Sequence, residues 1–338
     1  MSAAAESAVV VEAPGAHRLA PHVPREPGPG EALVAVHAVG LCGSDREVYR
    51  GNRPAPYVRY PLIPGHEWSG VVRAVGAGAP GDLVGRKVVG EGFRNCQVCA
   101  YCHAGETTLC GAGYKETGFT QPGAMAPTLT LPARLLHVLP EDADLTAAAL
   151  LEPAACVAAA ALKAAVRPGE RVAVVGTGTL GMLAVQFLRA VSPAELLVVG
   201  VDDEREALAR RFGATAFRTR DQEPPGGFDA VIEAAGSADA ARDAAALLAR
   251  GGRLVLTGLP GPDAQGLDPA DLVLRRLEVH TVFGAPPRAW AHAVRMFAAG
   301  LLDPLPLVTH RLPLTEFARA VELVGSGDPR VGKVLLHP

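Results

Sequence analysis

Four cysteines lie close together in the sequence, at Cys96, Cys99, Cys102 and Cys110. Thiolates are soft ligands, and four of them complete a tetrahedral zinc site that has no open position. Such a closed site orders a loop and cannot act as a Lewis acid on a substrate. Disulfide bonds fit less well, because clustered cysteines in a reducing compartment remain thiols or bind metal. The spacing therefore predicts a structural zinc lobe at about residues 93–112.

A second set of metal-ligating residue types is spread along the chain. Cys42 lies in GLCGSD, His66 and Glu67 lie in PGHEWSG, and Glu152 lies in LLEPAA. Taken singly, these are a buried cysteine, a hydrogen-bonded histidine and a glutamate near a helix end. Taken together, Cys42, His66 and Glu152 provide three ligands for a catalytic zinc, which leaves the fourth position for water or substrate. Asp45 is a candidate acceptor that fixes the tautomer of His66.

The segment GTGTLG at residues 176–181 has a different chemistry. It follows an apolar strand pattern and precedes a helical one, which is the context of a dinucleotide-binding turn. There the first glycine permits the tight turn, and the second lets backbone amides approach a pyrophosphate at the helix N-terminus. A purely structural glycine turn is the alternative. The candidate cofactor-binding residues of this turn are Gly176, Gly178, Thr179, Leu180 and Gly181.

The next predicted strand, LLVVGV, departs from the usual dinucleotide pattern. An acidic residue normally ends this strand and binds the ribose hydroxyls, but Gly200 occupies that position. Without this carboxylate, the 2′-phosphate of NADP would meet no repulsion at this position, and Arg205 is a candidate partner for that phosphate. Asp202, Asp203 and Glu204 would repel the same phosphate if they faced it. The sequence therefore favours NADP over NAD as the nicotinamide cofactor.

The elements that position these residues fall into two patterns. From Glu31 to about Pro132, short β-rich runs alternate with glycine and proline, which predicts a barrel-like β domain. An alanine-rich helix is predicted from Thr146 onward, with Asp144 or Thr146 as its cap, and it ends at Arg167-Pro168-Gly169. Beyond it, apolar strands alternate with helices, as in a parallel sheet covered on both faces.

Length and charge exclude several classes of protein. The chain has 338 residues, which favours two domains over one. With 35 acidic and 32 basic residues its net charge is −3, so it lacks the basic surface of a protein that binds nucleic acid or anionic membrane. The N-terminus lacks the basic region of a signal peptide, and the longest apolar tract is interrupted by charge and proline. We therefore expect a cytoplasmic protein.

The motifs named above, together with FDAVIEAAG and GKVLL, occur in an order that resembles the zinc-containing alcohol and polyol dehydrogenases of the medium-chain dehydrogenase/reductase superfamily. The resemblance covers essentially the whole chain. It implies an α/β fold in which a GroES-like β-barrel catalytic domain accompanies a Rossmann doubly wound parallel sheet. The implied boundaries are 1–150 for the catalytic domain, 151–286 for the nucleotide-binding domain and 287–338 for a segment that returns to the first. A homodimer or homotetramer is also implied.

The same resemblance implies roles for the dispersed ligand set. Cys42, His66 and Glu152 hold the catalytic zinc, and Glu67 beside them is an occasional ligand. A carboxylate as the third ligand resembles the sorbitol and threonine dehydrogenase branch of the family. Cys156, one helical turn beyond Glu152, is the alternative third ligand.

Two residues near Cys42 bear on proton transfer. Ser44 occupies the family's hydroxyl position, which takes the proton of the alcohol while hydride passes to the nicotinamide. At the position of Glu47 the family often has a histidine that continues the proton relay. Glu47 is therefore a relay by a different route, a charge that attracts a cationic substrate group, or an ordinary solvated carboxylate.

The sequence thus predicts a zinc-dependent oxidoreductase acting on a secondary alcohol or ketone of a polyol-, sugar- or aminocyclitol-like molecule. The GHEWSG motif together with Glu152 is similar to dehydrogenases of sugars and aminocyclitols. A zinc-free quinone or enone reductase is one alternative, which the presence of both ligand sets disfavours. A catalytically silent nucleotide-binding protein is another. Nucleic-acid binding by the cysteine lobe is disfavoured, because the lobe lacks a basic surface with interleaved aromatic residues.

Overall fold

The computed structural model describes residues 7–222, 225–260, 264 and 266–338. The chain forms two compact units. The first unit runs up to Glu152 and resumes at Pro304, and the second comprises Pro153–Asp303. Among the described residues, no helix has the length and apolar character that a membrane span requires.

The first unit begins with seven strands and three short helices. They are β1 (Ser7–Ala13), β2 (Ala16–Pro21), β3 (Glu31–Leu41), α1 (Gly43–Arg50), β4 (Glu67–Val75), β5 (Lys87–Gly90), α2 (Ala100–His103), β6 (Thr128–Pro132), β7 (Leu136–Val138) and α3 (Leu145–Ala148).

A longer helix, α4 (Leu151–Ala164), then crosses the boundary into the second unit. The second unit continues with β8 (Arg171–Val175), α5 (Thr179–Arg189), β9 (Glu195–Gly200), α6 (Glu206–Phe212), β10 (Ala216–Thr219), β11 (Phe228–Glu233), α7 (Ala240–Leu247), β12 (Leu248–Leu256), α8 (Pro269–Arg275), β13 (Glu278–Thr281) and α9 (Pro287–Ala298). The chain ends in the first unit with β14 (Val308–Pro313), α10 (Phe317–Val324) and β15 (Lys333–His337).

The second unit contains a six-stranded sheet in which every pair of neighbouring strands is parallel. The strand order is β10-β9-β8-β11-β12-β13, so the order reverses between β8 and β11. Strands β8 and β9 are buried from their second residues onward, as strands covered on both faces must be. The predicted Rossmann doubly wound sheet is thereby confirmed. Ligands of such sheets bind at the carboxyl ends of the strands beside the reversal.

The first unit is built on a mostly antiparallel sheet with the order β14-β15-β3-β4-β5-β7. Strand β6 pairs with the first half of β3, and β15 pairs with its last residues. Val34, Trp68, Leu131 and Leu336 are among the buried side chains of its core. This is the predicted GroES-like β domain, and the last strand of the chain completes it.

The chain returns to the first unit at Pro304, whereas the sequence predicts the return at residue 287. Helix α9 belongs to the second unit, where the ring of His292 lies 5.5 Å from that of Phe187. The side chain of Gln186 on α5 also binds the backbone N–H and the carbonyl of Asp303, at 2.7 and 3.1 Å. These contacts hold the segment up to Asp303 in the second unit.

The alanine-rich segment forms two helices instead of the single helix predicted. Asp144 caps α3, because its carboxylate accepts the backbone N–H groups of Thr146 and Ala147. The break before α4 follows from Pro153, which has no N–H to donate to a preceding turn. Proline is tolerated in the first turn of a helix, where its N–H would be unpaired. The break therefore places Glu152 in the first turn of a new helix.

Candidate metal and nucleotide sites

The pairing of β3 with β4 brings Cys42 and His66 together. Gly40 near the end of β3 lies opposite Glu67, the first residue of β4. Cys42 follows β3 and His66 precedes β4, so that Cys42 Sγ lies 3.2 Å from His66 Nε2. A Cβ on Gly40 would lie 2.2 Å from Glu67 Oε2, so this close approach requires glycine.

Asp45 contacts both Cys42 and His66 from the first turn of α1. Its Oδ2 accepts the backbone N–H of Cys42 at 3.0 Å, while Cys42 Sγ accepts the backbone N–H of Ser44 at 3.3 Å. Its Oδ1 faces His66 Nδ1 at 3.5 Å, and neither of these buried atoms has a hydrogen-bond partner among the described residues. Asp45 therefore favours a proton on Nδ1, which leaves the Nε2 lone pair directed at Cys42. The orienting role of Asp45 stays a prediction.

A group of three donors forms at this point. Sγ of Cys42, a ring nitrogen of His66 and a carboxylate oxygen of Glu67 lie within 4.8 Å of one another. Burial raises the pKa of the Cys42 thiol. Burial alone would lower the pKa of His66, but Cys42 and Asp45 raise it well above its ordinary value. A sulfur, a nitrogen and an oxygen donor among buried acidic groups fit a zinc ion, which stabilises the thiolate and the neutral imidazole.

Glu67 is already engaged in a buried ion pair. Its two oxygens accept hydrogen bonds from Lys333 Nζ on β15, at 2.8 and 2.6 Å, and Nζ also donates to the carbonyl of Leu41. Burial alone would lower the pKa of Lys333, but Glu67, Cys42 and Glu152 raise it. The ammonium is thus the fixed partner of Glu67. Sequence reasoning missed this lysine, although the motif GKVLL contains it.

Glu152 lies outside the group of three donors, half-buried in the first turn of α4. It is close enough to influence the pKa values of Lys333 and of Glu116. Cys156, one turn further along α4, is half-buried and also belongs to no such group among the described residues. The role of Glu152 as the third ligand stays a prediction.

The two residues predicted to handle protons differ in exposure. Ser44 is half-buried in the first turn of α1, two residues from the thiol of Cys42. Glu47 lies further along α1 and is exposed. The position of Ser44 suits a hydroxyl that acts beside the predicted metal ligands. Among the described residues, no contact distinguishes the three roles considered for Glu47.

A second group of polar side chains near His66 was missed by sequence reasoning. Glu116 is buried in the loop between α2 and β6, with Tyr114 donating to its Oε2 and Arg53 Nη2 at 3.8 Å. Burial raises the pKa of Glu116 to about 8, an effect opposed by His66 and Arg53. The ring of Phe119 lies 4.7 Å from that of His66 and carries the Arg53 guanidinium on its face at 3.8 Å. No motif in the sequence indicates this cluster.

The four clustered cysteines meet as predicted. Their Sγ atoms lie within 4.8 Å of one another, and none is in a disulfide. Backbone N–H groups of Cys102 and Gly111 lower the pKa of Cys99 to about 6, and those of Ala112 and Cys96 lower that of Cys110. These donors stabilise thiolates, the form that binds zinc. The lobe therefore fits a closed tetrahedral zinc site.

Each glycine of the dinucleotide turn is favoured for a different structural reason. Gly176 has φ +112°, and a Cβ there would lie 2.8 Å from the backbone nitrogen of Ala235. A Cβ on Gly181 would lie 1.9 Å from the carbonyl oxygen of Gly176. Gly178, directly before α5, is exposed, and a Cβ there would meet nothing within 4 Å. Thr179 and Leu180 begin α5. Two glycines thus serve packing, while the third leaves space for a phosphate at the helix N-terminus.

The end of β9 has no room for the usual acidic side chain. A Cβ on Gly200 would lie 2.9 Å from the Asp202 carbonyl oxygen, from Phe217 and from Thr177. Asp202 instead accepts the backbone N–H of Glu204 within the turn that follows β9. Arg205 is half-buried beside this turn; burial lowers its pKa, and Asp202 opposes that effect.

Comparison with known proteins identifies both units. Residues 28–141 match the alcohol dehydrogenase GroES-like domain, and residues 179–299 match the zinc-binding dehydrogenase domain. The chain is 30% identical to the L-threonine 3-dehydrogenase of Coxiella burnetii over 324 residues, which span 92% of this chain and 93% of that protein.

Two solved structures extend the comparison. A protein described as a zinc-binding dehydrogenase of Sinorhizobium meliloti, bound to NADP, has a TM-score of 0.91 and 28% identity over 98% of this chain and 99% of that one. Galactitol-1-phosphate dehydrogenase of Escherichia coli has a TM-score of 0.88 and 27% identity over 98% of this chain and 100% of that one. The chain therefore belongs to the zinc-containing alcohol and polyol dehydrogenases of the medium-chain dehydrogenase/reductase superfamily, as a zinc- and NAD(P)-dependent alcohol dehydrogenase.

Proposed function

We propose that this dehydrogenase acts on a secondary alcohol of a polyol-, sugar- or aminocyclitol-like molecule. The buried ion pair of Glu67 with Lys333 is the observation that carries the proposal. Because both oxygens of Glu67 bind the ammonium, Glu152 is the carboxylate that remains for the third ligand position beside Cys42 and His66. A carboxylate in that position resembles the sorbitol and threonine dehydrogenase branch.

The proposed ligand sets would hold two zinc ions per chain, one at Cys42, His66 and Glu152 and one in the cysteine lobe. A zinc ion held by the first set would supply Lewis acidity that lowers the pKa of a substrate hydroxyl. Asp45 keeps the imidazole of His66 oriented. The substrate hydroxyl gives its proton to the Ser44 hydroxyl, which releases its own proton toward solvent. A nicotinamide bound at the turn of Gly176–Gly181 would supply the hydride acceptor, so that the alcohol would become a ketone.

We further propose NADP as the preferred cofactor. The end of β9 accommodates no carboxylate at Gly200, and Arg205 stands beside the following turn. The similar protein from Sinorhizobium meliloti binds NADP. Since a charge-assisted hydrogen bond contributes about 1.5–3 kcal/mol, Arg205→Ala is expected to raise the KM for NADP roughly tenfold or more, and to leave the KM for NAD nearly unchanged. Equal effects on the two cofactors, or a wild-type preference for NAD, would contradict this assignment.

A homodimer or homotetramer is proposed from the edge of the Rossmann sheet. Strand β13 is an outer strand of that sheet, and Val279 on it is 37% exposed. Phe283 beyond β13 and the neighbouring Val273 and Leu274 of α8 are also exposed. Exposed apolar side chains beside an open strand edge are suited to pairing with a second copy. Because thiols cluster in the proposed zinc lobe, we also propose a cytoplasmic location.

A substrate panel tests the proposal. Zinc-loaded protein is incubated with NADP or NAD and with polyols, aminocyclitols, simple secondary alcohols and L-threonine, while reduced nicotinamide is followed by absorbance. We expect the highest kcat/KM among polyhydroxylated substrates. A preference for L-threonine or for a simple alcohol would reject the substrate class and leave the dehydrogenase assignment intact.

A further inference from the structure

Glu233 is a buried carboxylate at the end of β11, and its side-chain hydrogen bonds go to the backbone alone. The residue is 2% exposed, and its Oε1 accepts the backbone N–H groups of Ala235 and Gly236, each at 2.7 Å. In the described part of the chain, no arginine or lysine forms an ion pair with it. Carboxylates are rarely buried without a cation, because burial removes the hydration of the charge. The charge is instead stabilised by two charge-assisted hydrogen bonds from one short segment, which Glu233 thereby fixes.

The backbone around Glu233 joins three strand ends. The carbonyl of Glu233 accepts the N–H of Thr257 at 3.0 Å and the Thr257 hydroxyl at 2.7 Å, directly after β12. The next residue, Ala234, donates its N–H to the carbonyl of Val175, the last residue of β8, at 2.8 Å. The ends of β8, β11 and β12 thus meet around Glu233, at the edge of the sheet where ligands of this fold bind.

The turns that follow these three strands are packed too closely for side chains. A Cβ on Gly258 would lie 2.4 Å from the Cα of Gly236 and 2.9 Å from Glu233 Oε2. A Cβ on Gly176, in the dinucleotide turn, would lie 2.8 Å from the backbone nitrogen of Ala235. Since close-packed atoms leave no room to absorb a displacement, a shift of the segment that Glu233 fixes would move the turns on both sides of it.

The nicotinamide half of a dinucleotide falls on the side of the sheet that contains Glu233. The strand order reverses between β8 and β11, and a sheet of this order binds one mononucleotide on each side of the reversal. In such sheets the adenosine ribose binds at the end of the second strand, which here is β9, on the β8 side. The ends of β11 and β12 are therefore left for the nicotinamide nucleotide.

An exposed apolar side chain lies at the same edge. Leu259 follows β12 and is 68% exposed. Its carbonyl oxygen would lie 3.2 Å from a Cβ on Gly236, so Leu259 is directly beside the segment that Glu233 fixes. Ala235 of that segment is exposed as well. Apolar surface next to backbone polar groups suits the face of a planar ring and the amide that the ring carries.

We propose that Glu233 is the positioning residue for the nicotinamide half of the cofactor. Its carboxylate fixes the segment of Ala235 and Gly236 and the adjoining backbone that leads to Leu259, so this surface is formed before the ring binds. Glu233 acts through the backbone and does not itself touch the cofactor. The inference rests on the proposed function, because it requires a dinucleotide at the turn of residues 176–181.

A carboxylate at the opposite end of the same strands provides a matched control. Asp229 lies near the start of β11, and its Oδ2 accepts the backbone N–H of Arg171, the first residue of β8, at 2.8 Å. Like Glu233, it joins β11 to neighbouring backbone, but it does so at the edge opposite the carboxyl ends of the strands. Removal of Asp229 should lower stability without changing the surface that would hold the ring.

Pairs of ligands that differ by the nicotinamide ring test the proposal. NADPH is compared with 2′-phospho-ADP-ribose, and NADH with ADP-ribose, by titration calorimetry without any alcohol. The ratio of the two Kd values within a pair measures the contribution of the ring, and the pair that binds the wild type more tightly is used throughout. We expect the wild type to bind the ligand that carries the ring roughly tenfold more tightly or better, about the effect of one or two hydrogen bonds.

Glu233→Ala should reduce this ratio roughly fivefold or more, because the segment beside the ring loses two hydrogen bonds. Glu233→Gln keeps a side-chain oxygen that can accept both N–H groups, so it should retain most of the ratio. Asp229→Ala should leave the ratio unchanged. If Glu233→Ala does not fold, Glu233→Asp replaces it, since its shorter carboxylate cannot reach both N–H groups and the ratio should again fall.

The ratio separates positioning of the ring from general stability, because both Kd values come from one sample and any unfolded fraction cancels. Three results would overturn the inference. The first is an equal loss of affinity for both ligands of a pair in Glu233→Ala. The second is a ratio that falls as far in Asp229→Ala as in Glu233→Ala. The third is a wild-type ratio near one, which leaves the dinucleotide turn standing. Wild-type protein that binds none of the four ligands would instead refute the proposed nucleotide site, and the inference with it.

Discussion

Removal of the Lys333 ammonium should destabilise the first unit strongly. Lys333 and Glu67 have only 4% and 2% of their side-chain surfaces exposed, and two hydrogen bonds of 2.6 and 2.8 Å join them. Breaking a buried pair from one side leaves an uncompensated charge, so Lys333→Met is expected to lower the free energy of unfolding by about 3–5 kcal/mol. The double variant Glu67→Gln/Lys333→Met removes both charges and should cost less than the two single variants summed, by about 2–3 kcal/mol.

Denaturant unfolding of the zinc-loaded protein measures these energies. Trp68 lies in the core of the first unit and Trp290 in the second unit. In a Trp290→Phe background, the fluorescence of Trp68 therefore reports the unfolding of the first unit. The exposed pair of Arg18 with Glu12 provides the control cycle, for which the coupling should stay below about 1 kcal/mol. A Lys333→Met variant that costs no more than Arg18→Met would refute the reasoning.

Three further predictions concern the metal, the cofactor and the pH. Cys96→Ser should lose one zinc ion per chain and unfold the cysteine lobe. Cys42→Ser should lose the other zinc ion and all turnover but keep the fold. Metal analysis and circular dichroism distinguish the two outcomes. Gly181→Ala should destabilise the second unit in thermal unfolding, while Gly178→Ala should fold normally and bind dinucleotide more weakly in titration calorimetry. Between pH 4.5 and about 8 the folded chain holds a proton on Glu116 that the unfolded chain releases. The free energy of unfolding of the wild type should therefore fall with rising pH, by a few kcal/mol relative to Glu116→Gln. Denaturant unfolding measured across that pH range tests this expectation.

Motifs whose residues lie close in sequence were predictable. The glycines of the dinucleotide turn and the four cysteines act within one turn or one lobe, so spacing alone indicates their geometry. Cys42 and His66 are 24 residues apart, but each follows or precedes a strand of one antiparallel pair. Local pattern therefore sufficed to predict that the four cysteines meet and that Cys42 lies beside His66, while their roles as ligands stay predictions.

Contacts between distant segments were not predictable. Lys333 reaches Glu67 across 266 residues because β15 pairs with β3, and no local pattern specifies that pairing. Arg53 and Glu116 meet because two irregular loops converge, and loops lack the periodicity that sequence interpretation uses. The later return of the chain at Pro304 depends likewise on side-chain contacts of Gln186 with Asp303.

The central claim is zinc-dependent oxidation of a polyhydroxylated alcohol, and it is tested most directly by following reduced nicotinamide in the presence of a polyol panel. Zinc-loaded protein is compared with protein treated with a chelator and with the same protein after zinc is restored. We predict turnover of at least one polyol, its loss on chelation and its return with zinc. Absence of turnover across the panel, or turnover that survives removal of both zinc ions, would contradict the account.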